Sequence, residues 1–249
     1  MSVIKNVIAS VDQKDQKAAE IKETLNLLNN YATEKAKVFE DTIDTSLRTA
    51  GTEENKTMPV TVKLASHQEI RVITKDTPDD DITKNIGAVL KEVLSGGKDQ
   101  VIDGLTGLIN TAIEAILDTE EGDERQENSY YIATDGLAIV RLDLMYWCRH
   151  ITASSITTYA EKSLVCTAVK SSVDLSKIDL NAFLVTYNAQ LSKCNIPDAQ
   201  LIEEIENVKR IYTLFTSNSD VQATPLPFQI QDCGLIKSVT NKVEGVWPA

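Results

Sequence analysis

The residues that could carry chemistry in this chain are its four cysteines and its two histidines. The cysteines stand at 148, 166, 194 and 233 and form no CxxC pair. Neither His67 nor His150 is followed by another histidine or by a cysteine at i+2 or i+4. Cys148 and His150 resemble a nucleophile and its base, but sequence neighbours seldom hold the geometry that activation needs. We therefore predict free, buried thiols, with disulfides as the alternative if the protein acts outside the cell.

Cys166 is the thiol whose setting invites a modification. It lies within the segment Ser163–Val169, whose apolar residues surround it on both sides. Such surroundings raise the pKa of a thiol and make it inert. One interpretation is a small core residue, and the alternative is a lipidation site that carries a covalent fatty acid. Apart from that fatty acid, we expect no cofactor and no metal.

Sequence signatures of enzyme active sites are missing. Gly96-Gly97-Lys98 resembles part of a P-loop, but Glu92 stands where that pattern requires glycine and Asp99 where it requires Ser or Thr. The chain contains neither G-x-G-x-x-G nor G-x-S-x-G. We therefore predict no catalytic residue and favour a non-enzymatic protein, with an enzyme whose site is invisible in the sequence as an alternative.

The segment Ile82–Leu117 is the most informative element. Three aspartates precede its first arm, and acidic residues suit a helix N-terminus. Apolar residues recur every three or four positions in both arms, which predicts two amphipathic helices. Gly96 and Gly97 separate the arms, since glycine readily ends a helix, and are candidate hinge residues. The hairpin either covers a hydrophobic core or leaves it to enter a lipid bilayer, although each arm is too short to span one.

Two families of known proteins resemble parts of this chain. The runs Val89–Leu94 and Val101–Thr106, followed by Asn110-Thr111, are similar to the helical layer of the Cyt family of bacterial cytolytic toxins. That resemblance covers roughly 30 residues and implies an α/β protein that binds and permeabilises membranes. The segment around Cys166 resembles the setting of the acylated cysteine in Evf-type bacterial virulence factors, which implies a palmitate-like group.

Composition limits the partners. The chain has 249 residues and a net charge of −12. This excess of acid disfavours nucleic acid, whose binding relies on Lys and Arg, and also disfavours electrostatic attraction to anionic lipids. The first residues lack the basic and then apolar pattern of a secretory signal. We expect a protein that is cytoplasmic in the producing cell and is then released or associates with membranes.

The remaining pattern predicts an α+β fold that is predominantly helical. One long amphipathic helix fills residues 1–50, and a single α+β domain occupies 51–249. In that domain, helical hairpins pack on a small antiparallel sheet. Strands are predicted near 60–64 and 70–74, joined through Ser66-His67-Gln68 as a hairpin, and near 129–134 and 226–230. A helix is preferred after Asp135, and the alternative there is a strand over 137–151 that follows a turn at Asp135-Gly136. Helices are also predicted over Ser155–Val173, after Asp179 and after Pro197.

Together these observations favour a membrane-interacting, virulence- or toxin-like protein that acts through apolar helical surfaces on membrane lipid of a host. The alternative is a structural or assembly protein that self-associates into a homo-oligomer through its long N-terminal helix. No nucleic acid partner is expected.

Overall fold

A computed structural model describes residues 16–74, 78–94, 96–118, 123–152, 160–216 and 236–244. Side chains are described within these ranges except at 16–18 and 236–244. The helices are α1 (Gln16–Thr49), α2 (Asp79–Val93), α3 (Asp99–Leu117), α4 (Leu180–Leu191) and α5 (Asp198–Thr216), with a short 3-10 helix at Leu175–Lys177. The strands are β1 (Val60–Ile73), β2 (Glu124–Asp135), β3 (Ala138–His150), β4 (Lys162–Val173) and β5 (Ile236–Glu244).

The described strands form one sheet in the order β2-β3-β4-β1-β5. The pairs β2–β3, β3–β4 and β4–β1 are antiparallel, whereas β5 pairs parallel to β1. The α+β architecture is therefore confirmed, but the sheet is larger than the sequence predicts and is not purely antiparallel. The strand expected at 226–230 lies outside the described residues.

Helices cover both faces of the sheet. On one face, α2 and α3 pack with α4 and α5 over a large apolar core that includes Leu142, Leu144 and Cys166. On the other face, α1 packs over a smaller core that includes Met145, Trp147 and Val165. Successive strand residues point to opposite faces, so β3 and β4 have to be buried on both sides.

The long N-terminal helix is confirmed over Gln16–Thr49, as α1, and the part of the prediction that falls on residues 1–15 lies outside the described residues. Its residues on the sheet recur at helical spacing: Ala32, Ala36, Phe39, Ile43 and Leu47. The helix ends before Gly51, whose φ of +82° is a left-handed conformation that glycine adopts without strain. The division at residue 50 into two domains stays a prediction, although α1 shares a core with the sheet.

The predicted hairpin of two short strands before residue 75 is wrong, since β1 is one continuous strand. The sequence places a turn at Ser66-His67-Gln68, but all three residues lie inside β1. Inside the strand, the His67 ring lies 3.5 Å from the Glu69 carboxylate, and the Gln68 amide donates to the Ala36 carbonyl of α1 at 3.0 Å. Because the polar side chains of His67 and Gln68 both have partners, they can lie inside the strand, and the strand continues past them. The pairing of β1 with β4 is also irregular near Val62 and Lys63, which shifts the alternation of side chains between the two faces of the sheet.

The helix preferred after Asp135 and the helix predicted over Ser155–Val173 are also wrong, because the described parts of these segments form β3 and β4. For 137–151 the structure has the strand that was the alternative. Almost every residue of both strands is buried. A strand that is covered on both faces has apolar residues on both, so the period-two alternation that identifies strands is lost. By contrast, α4 and α5 begin where their capping residues predict, with Asp179 accepting the Asn181 N–H at 2.8 Å.

Arg141 and Asp143 form a buried ion pair on the α1 face of β3. Arg141 Nε lies 2.9 Å from Asp143 Oδ2, and Arg141 Nη2 lies 2.6 Å from Oδ1. The guanidinium also donates to the Met58 carbonyl at 2.7 Å and lies over the Tyr130 ring. Burial raises the pKa of Asp143, and the charge of Arg141 opposes that rise. The pair therefore joins β3 to the residues that lead into β1.

We expect Arg141→Ala to destabilise the protein by about 3–5 kcal/mol, because the buried carboxylate of Asp143 loses its partner. Replacing both residues, with Arg141→Met and Asp143→Leu, should cost far less because no charge remains buried. Urea unfolding measures both effects. Arg149→Ala is the matched control, since the Arg149 side chain is 48% exposed. Equal losses for the Arg141 and Arg149 variants would show that the pair is unimportant.

Candidate functional site

The candidate site is the α2–α3 hairpin and the contacts that hold it on the sheet. The structure confirms both helices, and their inner faces are nearly all apolar. The fully buried apolar side chains of this hairpin are Ile82, Ile86, Leu90, Leu94, Val101, Ile102, Leu105, Ile109, Ile113, Ile116 and Leu117. Gly87 lets α3 approach α2, because a Cβ there would overlap Asn110. The close approach makes the two helices one packing unit.

Gly96 and Gly97, the predicted hinge, are close-packed in the structure. The Gly136 N–H donates to the Gly96 carbonyl at 2.7 Å. A Cβ at position 96 would occupy the space of the Asp135 side chain, and one at 97 would lie 2.5 Å from the Thr134 carbonyl oxygen. Both glycines are therefore needed for contact with the β2–β3 turn, and their role as a hinge stays a prediction. We call Gly96–Lys98 the hairpin tip.

Lysine side chains from β4 hold the two ends of α2. Lys170 donates to the Val93 carbonyl at 2.8 Å, at the last residue of α2, and pairs with Asp135 at 2.6 Å. Lys162 pairs with Asp79, the first residue of α2, at 2.6 Å. Both lysines are buried along their stems, so each carries its charge across an apolar layer to a specific partner.

Glu204 of α5 is a fully buried carboxylate beside the hairpin tip. Its Oε1 accepts hydrogen bonds from the Thr134 hydroxyl at 3.0 Å and the Tyr187 hydroxyl at 2.9 Å. Its Oε2 accepts no hydrogen bond from the described residues and lies 3.8 Å from Lys98 Nζ. Burial, followed by the adjacent charge of Glu204, raises the pKa of Tyr187 well above its ordinary value. Tyr187 thus stays a neutral donor.

Cys166 lies in the middle of β4, on the hairpin face, and is fully buried. Its cross-strand neighbours are Tyr146 on β3 and Glu69 on β1. Burial raises the pKa of the Cys166 thiol far above its ordinary value, so the thiol is neutral and a poor nucleophile. The predicted lipidation at this position stays a prediction.

Glu69 is a charged cross-strand neighbour of that thiol. Burial alone would raise the pKa of Glu69, but its hydrogen bond with His67 and the charge of Arg71 hold the pKa below its ordinary range. Arg71 Nε lies 2.6 Å from Glu69 Oε1. The ionised carboxylate therefore stabilises the fold above its ordinary pKa, and this stabilisation is lost as the pH falls through the lowered pKa.

The structure does not assemble a catalytic dyad from Cys148 and His150. Burial raises the pKa of Cys148 to about 12, and the described ring contact of His150 is with Glu161, at 3.3 Å. The described part of the chain contains no cluster of three or more histidine, cysteine or acidic side chains that could hold a metal ion. Among these same residues, no helix combines the length and apolar character needed to cross a membrane.

Sequence reasoning found the hairpin and both glycines but missed the residues that contact the tip. In the sequence, Asp135 reads as part of a turn, and Lys98 reads as part of an incomplete P-loop pattern. Glu204 is one of three acids in the run Glu203–Glu206, which reads as the exposed face of a helix. No local signal distinguishes it. Comparisons with protein-family models, curated proteins and solved structures find no match to this chain.

We expect Gly97→Ala to destabilise the protein by about 1–3 kcal/mol, because the added methyl group meets a backbone carbonyl that cannot easily move. Gly107→Ala is a control in the same hairpin. No atom lies within 4 Å of a Cβ at position 107, so this change should stabilise α3 by about 0.5–1 kcal/mol. Urea unfolding measures both. A neutral or stabilising Gly97→Ala would mean that the tip is not closely packed.

Proposed function

We propose that the chain is a non-enzymatic, virulence- or toxin-like protein that acts on membrane lipid by turning its α2–α3 hairpin away from the sheet. The observation that carries the proposal is an apolar hairpin whose ends are held by a few polar contacts. Its inner face is suited to lipid, and the contacts with Asp79, Asp135 and Glu204 can be weakened without disturbing the sheet's own hydrogen bonds.

Energetics restrict when the hairpin can turn. Each fully buried Leu or Ile side chain contributes about 1.5–3 kcal/mol relative to exposure to water. About ten such side chains on the hairpin would then cost on the order of 15–30 kcal/mol in water. Total protein stability is about 5–15 kcal/mol, so opening into water alone is excluded. A bilayer offers the same side chains an apolar environment and removes most of this cost.

The polar contacts and the net charge favour action in acid and on uncharged lipid. Each of the contacts at Asp79, Asp135 and Glu204 pairs a lysine with a carboxylate. Such a pair keeps its attraction only while the carboxylate is charged. The net charge of −12 repels anionic lipid and becomes less negative in acid, where carboxylates as a class are neutralised. We therefore propose zwitterionic bilayers at low pH as the preferred target.

Two exposed apolar side chains lie next to the hairpin tip. Leu137 is 62% exposed and follows Gly136, which bonds Gly96. Ile202 is 59% exposed and precedes Glu203, which pairs with Lys98. This end of the molecule is suited to a first contact with a bilayer. A fatty acid on Cys166 would lie in the apolar core between the sheet and the hairpin. Release from a bacterial cell would bring the protein to a host membrane.

A disulfide across the tip tests the proposal. The Asp135 side chain occupies the space of a Cβ at position 96, so cysteines at both positions, Gly96→Cys with Asp135→Cys, are close enough to bond. We expect the wild-type protein to release dye from phosphatidylcholine vesicles at acidic pH, and the oxidised double variant to lose most of that activity, because the hairpin cannot turn.

The reduced form of the same double variant is the matched control, since it has the same two substitutions without the cross-link. Adding reductant to the oxidised protein should restore release. If the wild type releases no dye at any pH from 4 to 9, the membrane function is wrong. Equal release by the oxidised and reduced forms would show that the hairpin is not the element that moves. (The pH range is a choice of assay: its lower end lies near the ordinary pKa of a carboxylate, about 4, and it includes that of histidine, about 6.5.)

A second candidate function is self-association through α1, which the exposed side chains Leu27 and Val38 favour. They are 61% and 54% exposed, and their spacing of eleven residues places them on one side of the helix. That side faces away from the residues of α1 that pack on the sheet. A second copy of the chain could bury both.

Sedimentation velocity distinguishes the two functions. If α1 mediates association, the wild-type chain should form dimers or larger species that Leu27→Gln with Val38→Gln converts to monomer, because polar side chains remove the apolar contact. The pair Val185→Gln with Ile202→Gln, at exposed positions on α4 and α5, serves as the control. A monomeric wild type at high concentration contradicts this second function.

A further inference from the structure

We propose that the charge of Glu204 is the restraint that keeps the hairpin tip closed, and that loss of this charge frees the tip toward lipid. This inference rests on the proposed membrane function and names the residue that regulates it. Glu204 acts as a positioning residue, because it holds the hairpin and has no role in contacting lipid.

Four elements meet at this one carboxylate. Glu204 belongs to α5, Tyr187 to α4 and Thr134 to β2, and Lys98 is the residue that immediately precedes α3. The Thr134 carbonyl is also the atom that a side chain at Gly97 would strike. The carboxylate therefore lies beside the contact between Gly97 and the Thr134 backbone. Thr134, Tyr187 and Lys98 surround it from three elements of the fold.

The two oxygens of Glu204 have unequal partners. Both hydroxyls donate to Oε1, and a neutral carboxylic acid or an amide still provides an acceptor oxygen there. Oε2 has the Lys98 ammonium at 3.8 Å as its charged neighbour, and this attraction requires a negative charge. Neutralising Glu204 would thus leave α4, α5 and β2 joined and loosen only the tip. The restraint is selective for the element that has to move.

Neighbouring charges do not duplicate the restraint. Glu203 also pairs with Lys98, at 2.9 Å, but its side chain is 71% exposed, and exposed pairs contribute little. Tyr187 is a neutral donor. The remaining ion pair at the turn joins Lys170 to Asp135, beside Gly96, and does not involve Lys98.

Glu204→Gln tests the proposal without a change in side-chain size. We expect amide hydrogen exchange in peptides covering residues 94–105 to become at least about tenfold faster, since the opened state is no longer opposed by a buried ion pair. Exchange in β4, residues 162–173, should stay unchanged. Dye release from phosphatidylcholine vesicles should occur nearer to neutral pH than for the wild type.

Glu203→Gln is the matched control, at the adjacent position with the same lysine partner, and should alter neither measurement. Lys98→Met removes the other charge and should accelerate exchange at the tip as Glu204→Gln does. Unchanged exchange at 94–105 in Glu204→Gln overturns the inference. Faster exchange at the tip with no dye release by any variant supports Glu204 as the restraint and contradicts the membrane function, so the two failures are distinguishable.

Discussion

The rest of this structure depends on one constraint, which is that both faces of the central strands must be covered. β3 and β4 carry buried side chains along nearly their whole length, so neither face tolerates water. Helix α1 satisfies this requirement on one side and the α2–α3 hairpin on the other. Any motion of the hairpin uncovers the larger of the two apolar cores, so an apolar surface has to receive both the hairpin and the face beneath it.

The polar groups inside the molecule follow from the same constraint. Arg141 and Asp143 lie on the face under α1, whereas His67, Glu69 and Arg71 share the opposite face of β1. Buried charges are costly unless they are paired. Each of these groups has a partner close in sequence on its own strand, which is a compact solution when a strand has no exposed face. These side chains are therefore paired within their own strands, whereas Lys162 and Lys170 of β4 pair with carboxylates of the hairpin and of the β2–β3 turn.

Much of the helical structure is predictable from the sequence because its signals are local. Asp79–Asp81, the apolar spacing and the two glycines predict the hairpin within a few residues, and Asp179 predicts the start of α4. The strands β3 and β4 are not predictable in the same way. Double-sided burial replaces alternation with a continuous apolar run, and such a run reads equally well as a buried helix. Only the pairing of distant segments decides between the two.

The candidate site shows the same division. Gly96 and Gly97 are visible in the sequence, but the reason for them is not, because Thr134 and Asp135 lie about forty residues away. Glu204 is a further seventy residues beyond Thr134 and resembles its exposed neighbour Glu203 in every local respect. Only tertiary packing separates a carboxylate that is fully buried from one that faces solvent. The sequence therefore identifies the hairpin but not the residues that hold it on the sheet.

The length of α3 gives its first residue mechanical leverage. A helix of 19 residues is about 28 Å long at 1.5 Å per residue. If the hairpin pivots near its connections to the sheet, a displacement of about 1 Å at the tip corresponds to a rotation of only about 2°. A contact at the tip thus detects and resists very small rotations, whereas the same ion pair near the pivot would resist them weakly. The placement of Lys98 at the far end of this lever arm lets a single buried charge resist small rotations of the whole hairpin.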